Sequence, residues 1–163
     1  MSIAAVRIDG RLLHGQVANM WTGVIKPSRI MVVDNSTANS DIEKAAIKLA
    51  RPAGVNLSIL NEDRAIDHII NGRYDSQRVF VLVRRPKVLL DMIDGGVQIK
   101  EVNVGNMSQA DGTKPLTKSI NILQSDVDAF NLLHTKGIKM TVQMVPSDPA
   151  VDLMQLLKKF ASV

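Results

Sequence analysis

The chain has 163 residues, 45% of them apolar and 22% charged, with a net charge of +4 and no cysteine. This length supports one core and one domain spanning residues 1–163; the apolar share excludes intrinsic disorder, and the missing thiols exclude a disulfide scaffold and thiolate chemistry. One Trp, one Tyr and three Phe are too few for a platform that stacks single-stranded nucleic acid, and the basic residues are dispersed rather than run together.

Strands and helices are expected to alternate along the chain. Ile3–Ile8 reads as a strand, and Leu13–Val24 as a helix with Val17, Met20 and Trp21 at helical spacing. Arg29–Val33 is an unbroken apolar run, the mark of a strand buried on both faces. After the polar segment Asp34–Thr37, the spacing predicts a helix over Asp41–Ala50, capped by Asn39 or Ser40, with Ile42, Ala45, Ala46 and Leu49 on one stripe. Val55–Leu60 is the third strand, and Asn61 caps a helix through Ile70 that ends at Asn71-Gly72. Arg78–Val83 is the fourth strand. Pro86 opens a helix to Asp94, closed by Gly95-Gly96. A short strand at Glu101–Val104 leads into a polar loop over 105–116 and a strand at Thr117–Leu123. Ser125 is expected to cap a helix through Lys136, Lys139–Val145 to form the last strand, and Val151–Phe160 the last helix. This order predicts an α/β protein with an open, mostly parallel sheet and helices on both faces. Ligands of such sheets bind beyond the carboxyl ends of the strands, which directs attention to loops 9–13, 34–40, 84–87 and 105–116.

The first of these loops carries the densest chemistry. Arg7-Ile8-Asp9-Gly10-Arg11-Leu12-Leu13-His14-Gly15-Gln16 leaves a strand and enters a helix. Gly10 and Gly15 let the backbone turn and present N–H groups, and a helix N-terminus adds unpaired donors and partial positive charge. Arg11 and Arg7 supply planar forks that match phosphate oxygens. Neutral imidazole is nucleophilic near pH 7, so His14 beside such a cradle can accept a phosphoryl group. Asp9 is placed to orient an arginine or to set the imidazole tautomer. Asn35, in the loop after the second strand, is a further candidate phosphate ligand. Two simpler readings stand beside this one: a non-catalytic module that binds phosphate or another anion, and a pair of solvated arginines next to a helix-capping histidine.

Other chemistries are poorly supplied. The three histidines, His14, His68 and His134, are not paired at metal-ligand spacing, so no metal site is expected. No Walker motif, dinucleotide fingerprint or G-x-S-x-G elbow occurs. No apolar window reaches the ~18 residues that span a bilayer, and Arg7 interrupts any secretory apolar core, so a cytoplasmic location is expected.

The segment Arg7–Val17 closely resembles the active-site signature R-[IV]-D-x-R-[LF]-[IL]-H-G-Q of the IIB components of the mannose/fructose/sorbose family, part of the bacterial phosphoenolpyruvate-dependent sugar phosphotransferase system. Val32–Asn35, Val102–Met107, Thr117–Ser119, Gly137–Lys139 and Val145–Asp148 resemble later stretches of the same family. The resemblance implies a phosphocarrier enzyme. In it, His14 takes a phosphoryl group through Nδ1 from phosphohistidine of a IIA protein. The group then passes to a sugar (N-acetylgalactosamine, mannose, fructose or sorbose) imported by the IIC and IID membrane subunits. Arg11 matches the arginine that contacts the phosphate, and Asp9 the acidic residue of the loop. No cofactor, metal or nucleic acid is implied, and no direct insertion into the membrane. Position 10 is glycine where many family members carry Asp or Glu, which is expected to loosen the loop.

Overall fold

A computed structural model describes residues 3–161 of the chain. Its elements are β1 (Ile3–Asp9), a helix whose π-helical part covers Val17–Trp21 and whose last turn is α1 (Thr22–Ile25), β2 (Arg29–Val33), α2 (Asn35–Ala38), α3 (Asp41–Leu49), β3 (Asn56–Leu60), α4 (Glu62–Ile70), β4 (Val79–Val83), α5 (Pro86–Asp94), β5 (Glu101–Asn106), β6 (Lys114–Pro115), β7 (Asn121–Ile122), α6 (Gln124–Thr135), β8 (Lys139–Val142), β9 (Val151–Asp152) and α7 (Leu153–Ala161). Seven strands form one sheet in the order β3-β2-β4-β1-β5-β8-β9, parallel except for the last, which runs antiparallel to β8. The expected architecture, a mostly parallel sheet with helices on both faces, is the one observed.

The apolar runs explain the layering. In β4, Val79, Val81 and Val83 point into one core, while Phe80 and Leu82 point into the other. The larger core joins alternate residues of β1, β4 and β5 to Ala65 and Ile69 of α4, Leu89 of α5, Phe130 of α6 and Leu157 of α7. The smaller packs Ile30, Val32, Phe80 and Leu82 against Leu12, Val17, Trp21 and Ile47. Both faces of β2 and β4 are therefore dry, which is why Ile30–Val33 and Val79–Val83 are continuously apolar rather than alternating.

Several caps lie where their residue types place them. Ser40 and Asn61 accept from the backbone N–H groups of Glu43 and Arg64, and Pro86 begins α5. Elsewhere the structure departs from expectation. Ser125 does not cap α6; Asp126 in the first turn accepts from the Leu123 N–H at 2.8 Å and so satisfies the entry of the helix from inside it. Asp34–Thr37 is not a plain loop: the Asp34 carboxylate accepts from the Thr37 N–H and hydroxyl and starts the short helix α2. The last strand stops at Val142, and Val151–Asp152 pairs with it before α7 begins. Of the polar stretch 105–116, its end pairs with Asn121–Ile122 as a small hairpin.

Asn35 and Glu62 join α2 to α4 reciprocally: the Asn35 amide donates to Glu62 Oε2 at 2.7 Å, and the Glu62 N–H donates to Asn35 Oδ1 at 2.8 Å. Burial, and then the neighbouring Asp91 carboxylate, push Glu62 up from 4.5 to about 7, while Asp91 is held low by its hydrogen bond with Glu62. The folded chain therefore binds a proton between these pH values that the unfolded chain has released, so stability falls as pH rises from about 4.5 to 7. The Glu62→Gln variant is expected to lose that decline; urea midpoints of both proteins on either side of this window measure it.

Candidate functional site

The site sits at the carboxyl end of β1, where connections leave on opposite faces of the sheet: the Val17–Trp21 helix packs in the smaller core, α5 in the larger. Asp9, Gly10, Arg11 and Leu12 form a tight turn closed by the Leu12 N–H to the Asp9 carbonyl at 3.0 Å. Leu12 takes φ +57°, a left-handed conformation that costs a leucine roughly 1–2 kcal/mol. Full burial of its side chain holds it there. The turn delivers His14 to the start of the helix, where its carbonyl accepts the first helical bond, from Ala18, at 2.9 Å. The amides of Gly15, Gln16 and Val17 precede that bond and form the first turn.

Asp9 is the hub. Its Oδ2 accepts from Arg7 Nε at 3.2 Å and Arg7 Nη2 at 3.1 Å, and lies 3.1 Å from His14 Nε2. Its Oδ1 accepts from the Arg11 N–H at 3.0 Å. Burial pushes this carboxyl up, but the hydrogen bonds from His14 and Arg11 and the charge of Arg7 outweigh it, leaving Asp9 below its ordinary value and ionised. An acceptor-only carboxylate at Nε2 requires the proton on that nitrogen. In the neutral ring, Nδ1 then carries the lone pair.

Arg7 lies beneath the loop, 1% exposed. Besides Asp9, its guanidinium donates to Asn103 Oδ1 and to the carbonyls of Gln143 and Met144, the latter two at 3.1 Å. It stacks 4.9 Å from the Trp21 ring, whose indole N–H also donates to the Met144 carbonyl. Burial draws the guanidinium below its ordinary value and Asp9 opposes that. The space for this group comes from β5. The register steps from Ile8–Val104 to Asp9–Asn106, so Gly105 sits in a bulge, and an added Cβ there would lie 2.0–2.2 Å from the guanidinium.

The structure thus brings Arg11 and His14 to the surface over the buried Asp9 carboxylate and places Arg7 beside that carboxylate as support, with its donors already engaged. A guanidinium so occupied offers no fork to a phosphate, so the expected phosphate contact of Arg7 is replaced by a structural one. Gly10 is not a loose point in the loop. Its N–H donates to the Asn106 carbonyl at 2.9 Å, and a Cβ there would meet Ser108 Oγ at 2.4 Å. The glycine is needed for close approach. Gly15 is exposed with open space around it. Asn35 is committed to Glu62 rather than to His14.

One residue escaped the sequence reading. Arg84, at the end of β4, donates to the Gly10 carbonyl, to Asp34 Oδ2 at 3.4 Å and to Thr37 Oγ1 at 3.3 Å, tying the loop after β1 to that after β2. With Arg11 and His14 it lines an open cleft of about 520 Å³. Its only signal in the sequence was a place in the loop at 84–87. The His14 ring is 16% exposed at this cleft.

An α/β fold with a histidine held by one nitrogen at the mouth of an arginine-lined cleft has the makings of a group carrier. Residues 3–163 match the family model for the sorbose-subfamily IIB component of the phosphotransferase system. A sorbose-specific EIIB component from Lacticaseibacillus casei is 32% identical over 94% of this chain and 94% of its own length. The mannose-specific EIIAB component of Escherichia coli (strain K12) is 34% identical over 98% of this chain, which covers 49% of that longer protein. The crystal structure of the IIBSor domain of the sorbose permease from Klebsiella pneumoniae superposes with a TM-score of 0.94, at 32% identity and 98% coverage of both chains. The chain belongs to the sorbose-subfamily IIB components, and so to the phosphocarrier proteins of sugar uptake.

The bulge sets a measurable limit. Gly105→Ala is expected to displace the guanidinium and to cost about 1–3 kcal/mol, the usual range for overpacking a filled core, read as a lower urea midpoint with an unchanged slope.

Proposed function

We propose that His14 is the phosphorylated residue, attacking through Nδ1. The observation that carries this is the Asp9–Nε2 contact of 3.1 Å, which leaves Nδ1 as the nucleophilic nitrogen of the neutral ring. The donor is phosphohistidine of a IIA protein. As Nδ1 bonds to phosphorus, the N–P bond to the donor breaks, and the donor, a phosphoimidazolium protonated on its other ring nitrogen, leaves as neutral imidazole. The His14 ring becomes a phosphoimidazolium, whose Nε2–H faces ionised Asp9. In the second step a sugar hydroxyl attacks the same phosphorus, its proton passes to a base, and His14 departs as neutral imidazole.

Such transfer is mainly positioning and charge stabilisation. Arg11 is exposed at the cleft rim and is the guanidinium assigned to the phosphoryl oxygens; Arg84 adds positive charge across the cleft. The amides of the first helical turn, from Gly15 onward, add donors. Among the described residues no helix is long and apolar enough to cross a membrane. We place the chain in the cytoplasm, handing its phosphoryl group to a sugar carried by IIC and IID subunits, with sugar selection left to those subunits. The alternative of a non-catalytic anion-binding module loses its support once the chain joins a family of sugar phosphotransferases.

Incubation with phosphoenolpyruvate, the general phosphotransfer proteins and the chain's own IIA is expected to give an acid-labile, base-stable label. The label should be absent from His14→Ala; its persistence there would move the phosphorylated residue elsewhere. Arg11→Lys keeps the charge but loses the planar fork. It is expected to slow transfer by roughly tenfold, about 1.4 kcal/mol of barrier, with an unchanged melting temperature; wild-type kinetics would remove Arg11 from the phosphate site.

A further inference from the structure

Four of the eight large apolar side chains exposed among the described residues lie on the two helices flanking His14: Met20 and Val24 after the histidine, Ile42 and Leu49 on α3. The α3 pair is the most exposed of the set, Ile42 at 84% and Leu49 at 89%. With Ala45 and Ala46, both also exposed, they form one stripe at i, i+3, i+4 and i+7. A stripe of that spacing ordinarily faces a core, and here it faces solvent, because α3 docks onto the sheet through Ile47 alone among its buried residues. Apolar surface gathered on one helix face is characteristic of a contact site.

Its position identifies the contact. Ala46 and Leu49 of the stripe line the same cleft as His14, Arg11 and Arg84, with Glu43 beside them. A macromolecule seated on the stripe therefore lies over His14. The two guanidiniums favour a partner that brings an anionic group to that point, and the apolar wall favours one whose anion is ringed by apolar surface. We propose that the exposed α3 stripe is the docking face for the protein phosphodonor, the IIA component. This rests on the reading of His14 as the phosphorylated residue. Transfer between two histidines needs phosphorus within about 3–3.5 Å of the attacking nitrogen, which only a partner covering the cleft can satisfy. The mannose-specific relative carries the name EIIAB component, and this chain covers 49% of its length. A single helix stripe also gives a small contact, suited to a partner that must leave after each transfer.

The test uses the full chain carrying Ile42→Lys and Ala45→Lys together, two exposed stripe positions that do not line the cleft. Initial rates of phosphorylation are measured against the concentration of its own phosphorylated IIA. In parallel, His14 is labelled by phosphoramidate, a donor too small to need a docking face. The expected result is a KM for IIA raised about tenfold or more, kcat changed by less than about twofold, and phosphoramidate labelling at the wild-type rate. An unmoved KM overturns the proposal, and a fall in sugar phosphorylation alone would assign the face to the membrane subunits instead. A parallel loss with phosphoramidate also overturns it, since the substitutions would then act on the site itself. Wild-type protein labelled at no histidine by either donor would refute the underlying reading of His14, a result distinct from an unmoved KM.

Discussion

The site depends on a buried ion pair two residues long. Arg7 and Asp9 point to the same side of β1, and their charges meet where neither touches water. Removing such charges from solvent costs several kcal/mol per ion, so a buried pair contributes little stability by itself and persists only when its remaining donors and acceptors are matched. Here they are matched. The guanidinium reaches Asn103 and the Gln143 and Met144 carbonyls, and the carboxylate takes the Arg11 amide and the His14 ring. The pair holds one carboxylate oxygen at a fixed point under an imidazole, and that position sets the tautomer on which the proposed phosphoryl transfer rests.

The surrounding architecture serves that fixed point. β5 bulges at Gly105 to admit the guanidinium, Trp21 covers it from the helix side, and the chain after β8 turns its carbonyls inward to accept from it. Leu12 accepts a left-handed backbone so that the next residues reverse toward the helix. Arg84 fastens the resulting loop to its neighbour. Strain and buried charge are concentrated within a few residues of His14, the usual place for both when a protein must preorganise a reacting group.

Above this rigid base the surface is built for exchange. A phosphocarrier must accept its phosphoryl group from one molecule and release it to another, and the His14 ring lies at an open cleft rather than in a closed pocket. Two arginines line it, and in the proposed transfer they stabilise added negative charge without sequestering it. The apolar stripe of α3 lies exposed beside the cleft, and in the proposed docking a visiting protein buries it and then exposes it again.

Much of this was legible in the chain alone, for reasons of proximity. Asp9, Arg11 and His14 are close in sequence, and a tight turn after a strand can hardly keep them apart. Ser40, Asn61 and Pro86 announce their helices through local hydrogen bonding and backbone preference, and continuous apolar runs mark strands buried on both faces. The burial of Arg7 was not legible, because its acceptors other than Asp9 lie 96 to 137 residues away and only the closed sheet assembles them. Arg84 meets Gly10 across 74 residues for the same reason. Periodicity likewise grouped Ile42, Ala45, Ala46 and Leu49 on one face of a helix, but could not say which face the core would claim. The sequence determined local geometry and the closeness of Asp9, Arg11 and His14. The tertiary structure decided which charges were buried and which apolar face stayed wet, since both depend on neighbours that only folding supplies.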